Sequence, residues 1–199
     1  MSRMLKLTSP IPESVNHYVK PRGFIKYVDG RPKAMVTMYE TADAKKYKRI
    51  FSRIVKRAVK EQEWDLEPNK TQHFYVDCVF YFDRIDKDAN NYFKLLLDTI
   101  TDTQLIWIDD NVTLEKVNRI YYDSNNPRIE VEIRPVEYVG IFDTHKELEN
   151  FENNCKTCKR YKRNCSILKK AIEGRIQEEI VRDSNNELKC SKFNKIKEK

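Results

Sequence analysis

The chain has 199 residues, with a hydrophobic fraction of 40%, a charged fraction of 35% and a net charge of +7. That length suits one ordinary domain with an appendage, and the charged fraction exceeds the ~25% of typical globular chains. No apolar run reaches the ~18 residues of a membrane span, and the opening MSRMLKLTSPIPESVN has no apolar signal-peptide core. Secreted, membrane and fibrous classes are excluded on this reading, and a cytoplasmic location is expected. The five cysteines are accordingly read as thiols or metal ligands, not disulfides.

The charge is unevenly spread. Residues 1–60 carry 15 Lys/Arg against 4 Asp/Glu, residues 61–140 carry 8 against 17, and residues 141–199 carry 15 against 10. Basic ends around an acidic middle suit either solvated faces or a carboxylate cation site flanked by polyanion-binding surfaces.

In chain order, Met4 to Thr8 alternates as a strand and is closed by Ser9-Pro10-Ile11-Pro12. Phe24–Val28 and Ala34–Tyr39 flank Asp29-Gly30, which predicts a hairpin. Thr41 or Asp43 caps a helix predicted to about Glu63. Its apolar face is Tyr47, Ile50, Phe51, Ile54, Val55 and Ala58, and Lys45, Arg49, Arg53 and Lys56 lie on the other. Those four basic residues are candidate DNA contacts. Phe74–Phe82 reads as a central strand holding Cys78 as a core thiol, and Asp88 caps a helix from about Asn90 to Ile100. Tyr92, Phe93, Leu96, Leu97 and Ile100 form its buried face. After Leu105–Ile108 and Asp109-Asp110, Val117–Tyr122 and Ile129–Val136 predict a second hairpin around Asp123–Pro127. The expected architecture is α+β (mixed α/β), a mixed sheet with two main helices, over residues 1–138. Residues 139–199 are expected to form a small basic, cysteine-containing helical appendage with a helix over Ser166–Arg182 and a frayed end from Lys192 to Lys199.

Asn91, Lys94 and Asp98 share a polar stripe at i, i+3, i+7 beside the apolar face, and a second carboxylate pair follows at Asp109-Asp110. Hard divalent cations select such oxygen ligands, and a lysine beside them can offset developing charge. Spacing alone favours the plainer reading of a helix cap at Asp88, a surface ion pair from Lys94 to Asp98 and a loop at Asp109-Asp110, since acidic clusters are common.

The run Pro10-Ile-Pro-Glu-Ser-Val-Asn16-His-Tyr18, the helix Asp88-Ala-Asn90-Asn91-x-x-Lys94-x-x-x-Asp98, the segment Trp107-Ile-Asp109-Asp110-Asn111 and the final Arg119–Glu132 stretch resemble the RusA family of Holliday junction resolvases. The resemblance covers about residues 4–136. It implies a Mg²⁺-dependent, homodimeric endonuclease that cuts branched DNA such as four-way junctions, in recombination and repair. On the family pattern Asp-x-Asp-Asn-x-x-Lys, it implies catalytic roles for Asp88, Lys94 and Asp110. It also implies Mg²⁺ ligation by Asp88, Asn90, Asp109 and Asp110, and places the family asparagine at Asn91, a candidate DNA contact; Asn16 is read as organising the site loop or contacting DNA. Asn90 stands where the family has a second aspartate; an amide can ligate but is a poor base. Asp86 is a weaker substitute. A non-catalytic branched-DNA-binding relative is therefore the alternative, and a zinc-stabilised interaction protein the third reading.

Cys155-x2-Cys158-x6-Cys165, with Cys190 beyond, presents four candidate zinc ligands, with an iron–sulfur cluster as rival and incidental thiols as the plain reading. His17 and Trp107 are read as structural.

Overall fold

A computed structural model describes residues 3–196 and divides the chain into two compact units, the first ending at Pro135 and the second starting at Val136. In the first unit a four-stranded sheet has the order β1-β6-β4-β5, formed by β1 (Leu5–Pro10), β4 (Phe74–Phe82), β5 (Thr113–Tyr122) and β6 (Arg128–Pro135). Two helices, α1 (Ala42–Glu61) and α2 (Asn90–Thr103), pack on each other, and α1 packs on β1. The sheet is mixed, as the α+β reading requires.

Strand β4 is the spine because its sequence alternates without interruption. Phe74, Val76, Cys78, Phe80 and Phe82 are all buried, while the residues between them are half-buried. Phe74 meets Trp107 at 5.7 Å between ring centroids, Phe80 meets Phe93 edge-on at 5.7 Å, and Phe82 meets Tyr92 at 5.2 Å. Helix α2 is the crossover between parallel β4 and β5. Its buried side chains, Tyr92, Phe93, Leu95, Leu96, Leu97, Thr99 and Ile100, leave Lys94 at the surface. The core thus fixes one side of α2 and frees its polar stripe.

Helix α1 begins where Thr41 accepts the Ala44 N–H at 3.1 Å, and its buried line is Ala44, Tyr47, Phe51, Val55 and Ala58. Ile50, expected inside, is exposed. The first hairpin, β2 (Val19–Val28) with β3 (Arg31–Glu40), is longer than its apolar runs suggested and forms a separate two-stranded sheet.

The second predicted hairpin is corrected by the topology. β5 and β6 both pair with β4, parallel and antiparallel respectively, and not with each other. β4 is apolar enough to occupy the centre, and Asp123 N–H closes onto the Phe82 carbonyl at 2.7 Å as the chain crosses its end. Leu105–Ile108 is irregular, with Ile106 and Trp107 fully buried.

In the second unit the long helix expected over Ser166–Arg182 is absent. A short α4 (Ile167–Ile172) stops before Gly174 at φ +78°, and a small hairpin of β7 (Ile180–Arg182) and β8 (Leu188–Cys190) follows. Another helix, α3 (His145–Lys156), precedes it, and Phe142, Phe151 and Ala171 form a small core. The end is not frayed as far as it is described. Lys195 bridges Cys158, and Ile196 N–H reaches the Thr157 carbonyl at 2.9 Å. Lys197–Lys199 lie outside the described residues.

Candidate active site

The N-terminal end of α2 gathers the polar stripe. Asp88, just before the helix, accepts the Asn90 N–H at 3.0 Å through Oδ1, and its carbonyl accepts the Asn91 N–H at 3.2 Å. The formal cap residue is Ala89, with no side-chain cap, so Asp88 serves the helix from one residue further out. Asp88 and Asn90 are exposed at this end, and Asn91 is half-buried. The Asn91 carbonyl accepts the Val15 N–H at 2.7 Å, which ties the segment before β2 to α2. Asn16 is exposed in that segment, and Ser14 Oγ lies 2.8 Å from His17 Nδ1.

Lys94 joins the two halves of the stripe. Its ammonium donates to Asp98 Oδ1 at 2.6 Å and to Asp110 Oδ2 at 3.2 Å. The hydrogen bond to Asp98, with that to Asp110 and both negative charges, outweighs partial desolvation and raises the Lys94 pKa. Lys94 therefore stands as a fixed cation and not as a base. Asp109 caps a single 3-10 turn (Asp110–Val112) by accepting the Asn111 N–H at 3.0 Å, and this turn presents Asp110 to α2.

Asp98 has a second partner that spacing did not reveal. The Tyr18 hydroxyl donates to Asp98 Oδ2 over a long 3.5 Å. Tyr18 is nearly buried, and burial, then the Asp98 charge, raises its pKa. Asp86, the substitute considered for the missing aspartate, is instead exposed and held by Arg84 at 3.0 and 2.5 Å. It is a local ion pair.

Lys45, Arg49, Arg53 and Lys56 lie on α1, outside its buried line. Trp107 is core, donating its indole N–H to Thr101 Oγ1 at 2.7 Å, and Cys78 is fully buried. Burial pushes the Cys78 thiol up to about 12.

Among the described residues, no group of three or more His, Cys, Asp or Glu side chains stands in an arrangement that could hold a metal ion. Between Asp98 and Asp110 lies the Lys94 ammonium, ion-paired with both. In the second unit Cys155, Cys158, Cys165 and Cys190 are close enough to influence one another electrostatically. Cys158 Sγ also accepts the Asn194 N–H at 3.4 Å. Among the described residues these four cysteines do not make up a zinc-holding or iron–sulfur-holding group.

A family model for the endodeoxyribonuclease RusA matches residues 19–134. This chain belongs to the RusA family. The match spans more than half the chain and contains Asp88, Asn90, Asn91, Lys94, Asp98, Asp109 and Asp110. It begins after Tyr18 and ends before the second unit, so the four clustered cysteines lie outside it. Comparison with curated proteins returned no match. As a RusA-family member the chain is a nuclease of the endodeoxyribonuclease class, whose family substrate is branched DNA. Among the described residues, no helix is long and apolar enough to cross a membrane.

Proposed function

We propose that this protein is a Mg²⁺-dependent, structure-selective endonuclease that resolves four-way DNA junctions in recombination and repair, working as a homodimer in the cytoplasm. The observation that carries the reading is the Lys94–Asp110 contact. It joins two separate motifs of the matched segment at one place, on the helix that Asp88 begins.

The donor set fits a hard cation in kind: the carboxylates of Asp88, Asp109 and Asp110 and the amide of Asn90 are oxygen ligands. A magnesium ion held there would supply Lewis-acid stabilisation of the phosphate and an acidified water as nucleophile. Lys94 places a permanent positive charge against the negative charge that develops on the phosphate or leaving oxygen. The α1 residues Lys45, Arg49, Arg53 and Lys56 neutralise backbone phosphates, and Asn16 and Asn91 contribute polar contacts beside the site.

Dimerisation is supported by the β2–β3 hairpin. It stands apart from the main sheet with Ile25, Tyr27, Val36 and Met38 each at least 60% exposed. An apolar ribbon of that kind invites a second copy, and a two-fold pair brings equal sites to two equivalent strands.

The second reading, a branched-DNA-binding relative with weak or no chemistry, rests on Asn90, which brings a neutral ligand where the family pattern has a carboxylate. Incubation of a synthetic four-way junction with the protein in Mg²⁺ and in EDTA separates the two. Paired nicks in Mg²⁺ alone support the resolvase, and binding without nicks under both conditions supports the alternative.

A further inference from the structure

Lys94 has two carboxylate partners, yet the proposed chemistry leaves it only one. Asp110 is a candidate cation ligand, and once a divalent cation engages that carboxylate its pull on the ammonium is largely cancelled. The cation would also repel Lys94. Something else must then keep the side chain near the phosphate, since a lysine stem left free samples many rotamers. Asp98 is built for this. It sits one turn further along α2 with its side chain three-quarters buried, whereas the Lys94 side chain is half exposed. One of its oxygens takes the lysine at 2.6 Å, and the other faces the Tyr18 hydroxyl.

Tyr18 is itself well anchored. Its N–H donates to the Ser14 carbonyl at 3.2 Å, and its carbonyl accepts the Thr41 N–H at 2.9 Å at the start of α1. The neighbouring Val15 N–H is bonded to Asn91 on α2. The phenol therefore reaches Asp98 from backbone fixed to both helices, and Asp98 itself is flanked in α2 by the buried Leu97 and Thr99. A plain surface pair between Lys94 and Asp98 would have no use for a third, nearly buried partner.

We propose that Asp98 is a positioning residue for the lysine of the active site. It retains the Lys94 ammonium when Asp110 turns to a cation, and Tyr18 orients the Asp98 carboxylate. The proposal rests on the nuclease reading above and extends it to two residues that do not touch the substrate. In this arrangement Asp98 is a counter-charge to Lys94 and not a cation ligand.

The test uses the full chain with Asp98→Asn, Asp98→Glu and Tyr18→Phe. Ion pairs at i,i+4 near a surface contribute little to stability, so these variants should fold. Two readouts are needed. The first is the single-turnover cleavage rate of a four-way junction at saturating protein in Mg²⁺, alongside junction affinity in EDTA. The second is the rate at which Lys94 is reductively methylated in protein with Mg²⁺ present and without it, followed by mass spectrometry, since an ion-paired ammonium reacts slowly.

Asp98→Asn should slow cleavage by about 10–100-fold, the usual effect of losing an outer partner at a metal site. Junction affinity should stay at the wild-type value, and Lys94 should methylate faster. Tyr18→Phe should lose less in the same direction, and Asp98→Glu should recover much of the rate. Wild-type cleavage by Asp98→Asn overturns the proposal, as does unchanged Lys94 methylation. If the wild-type protein itself does not cut, the nuclease reading fails, and the methylation arm alone still decides whether Asp98 restrains Lys94.

Discussion

Lys94 and Asp110 are sixteen residues apart in sequence and meet at 3.2 Å, across the end of α2 and the turn that follows Trp107. The meeting is a product of the core. Burial of Leu95, Leu96 and Leu97 turns Lys94 outward, and burial of Ile106 and Trp107 sets down the chain so that Asp110 emerges beside it.

From that contact follows a separation of chemistry from affinity. Asp88→Asn and Asp110→Asn should each abolish junction cleavage in Mg²⁺ while leaving gel-shift affinity in EDTA close to wild type, because phosphate contacts supply most of the binding. Lys94→Ala should reduce the cleavage rate with a modest loss of affinity. A pure affinity loss would make Lys94 a phosphate anchor.

Asn90→Asp should raise cleavage by restoring a charged ligand at the first position of α2. Asp86→Asn should have little effect, because Asp86 is exposed and already paired with Arg84. Rate measurements on the two variants side by side check both statements. Severe loss in Asp86→Asn would show that the turn before α2 rearranges when the protein acts.

The basic face of α1 should govern salt dependence. Replacing Arg49 and Arg53 by Glu should weaken junction binding and flatten the dependence of log affinity on log salt, by roughly 0.9 for each phosphate that is no longer neutralised. Unchanged slopes would place the DNA elsewhere.

Much of the first unit was legible in the sequence, and the reasons differ by element. The bounds of β4 follow from an unbroken aromatic and β-branched run, and α1 follows from Thr41 and its 3.6-residue apolar period. The acidic motifs were readable as candidates, but their convergence was not, because sequence separation carries no distance. Tyr18 was unreadable as an Asp98 partner for the same reason. The pairing of β5 and β6 with β4 escaped local reasoning because the short connection between them resembles a hairpin loop. In the second unit helix α3 carries its signal in the cap and not in an apolar stripe. Thr144-x-x-Glu147 is a capping pattern, and Thr144 Oγ1 does accept the Glu147 N–H at 3.1 Å. Gly174 likewise marks the end of α4 in the middle of an apparently helical stretch.

Gly140 is a position where the second unit has little tolerance. At φ +59°, an added Cβ would lie 2.0 Å from the Ala171 carbonyl oxygen, while Ile141 N–H bonds that same oxygen at 3.1 Å. Gly140→Ala should destabilise this unit by at least the ~1–3 kcal/mol typical of a strained backbone position. Amide exchange across α4 and the β7–β8 hairpin would report it.

Thiol reactivity should rank the cysteines. At Cys158 burial opposes ionisation, but N–H groups of Arg160, Asn194 and Tyr161 and the Arg160 charge outweigh it, and its pKa is lowered. Cys155 is pushed up to about 11, by burial first and then by the neighbouring cysteines, and Cys78 up to about 12. Iodoacetamide at pH 8 should therefore modify Cys158 well before Cys155, with Cys78 protected until unfolding. Cys78 and Cys155 hold their protons more tightly folded than unfolded. The stability they contribute is complete below the unfolded thiol pKa of about 8.5 and is lost as pH rises from there through 11 and 12. Urea midpoints across that range would show the decline.

The central claim is that the acidic end of α2 with Asp110 is a phosphodiester-cleaving centre directed at branched DNA. The most direct measurement compares wild type and Asp110→Asn on an end-labelled four-way junction and on a linear duplex of the same sequence, in Mg²⁺ and in EDTA. The account predicts paired nicks in the junction by wild type in Mg²⁺ alone, with the duplex uncut and the variant inactive. Equal cutting by Asp110→Asn, or cutting of junction and duplex alike, would contradict it.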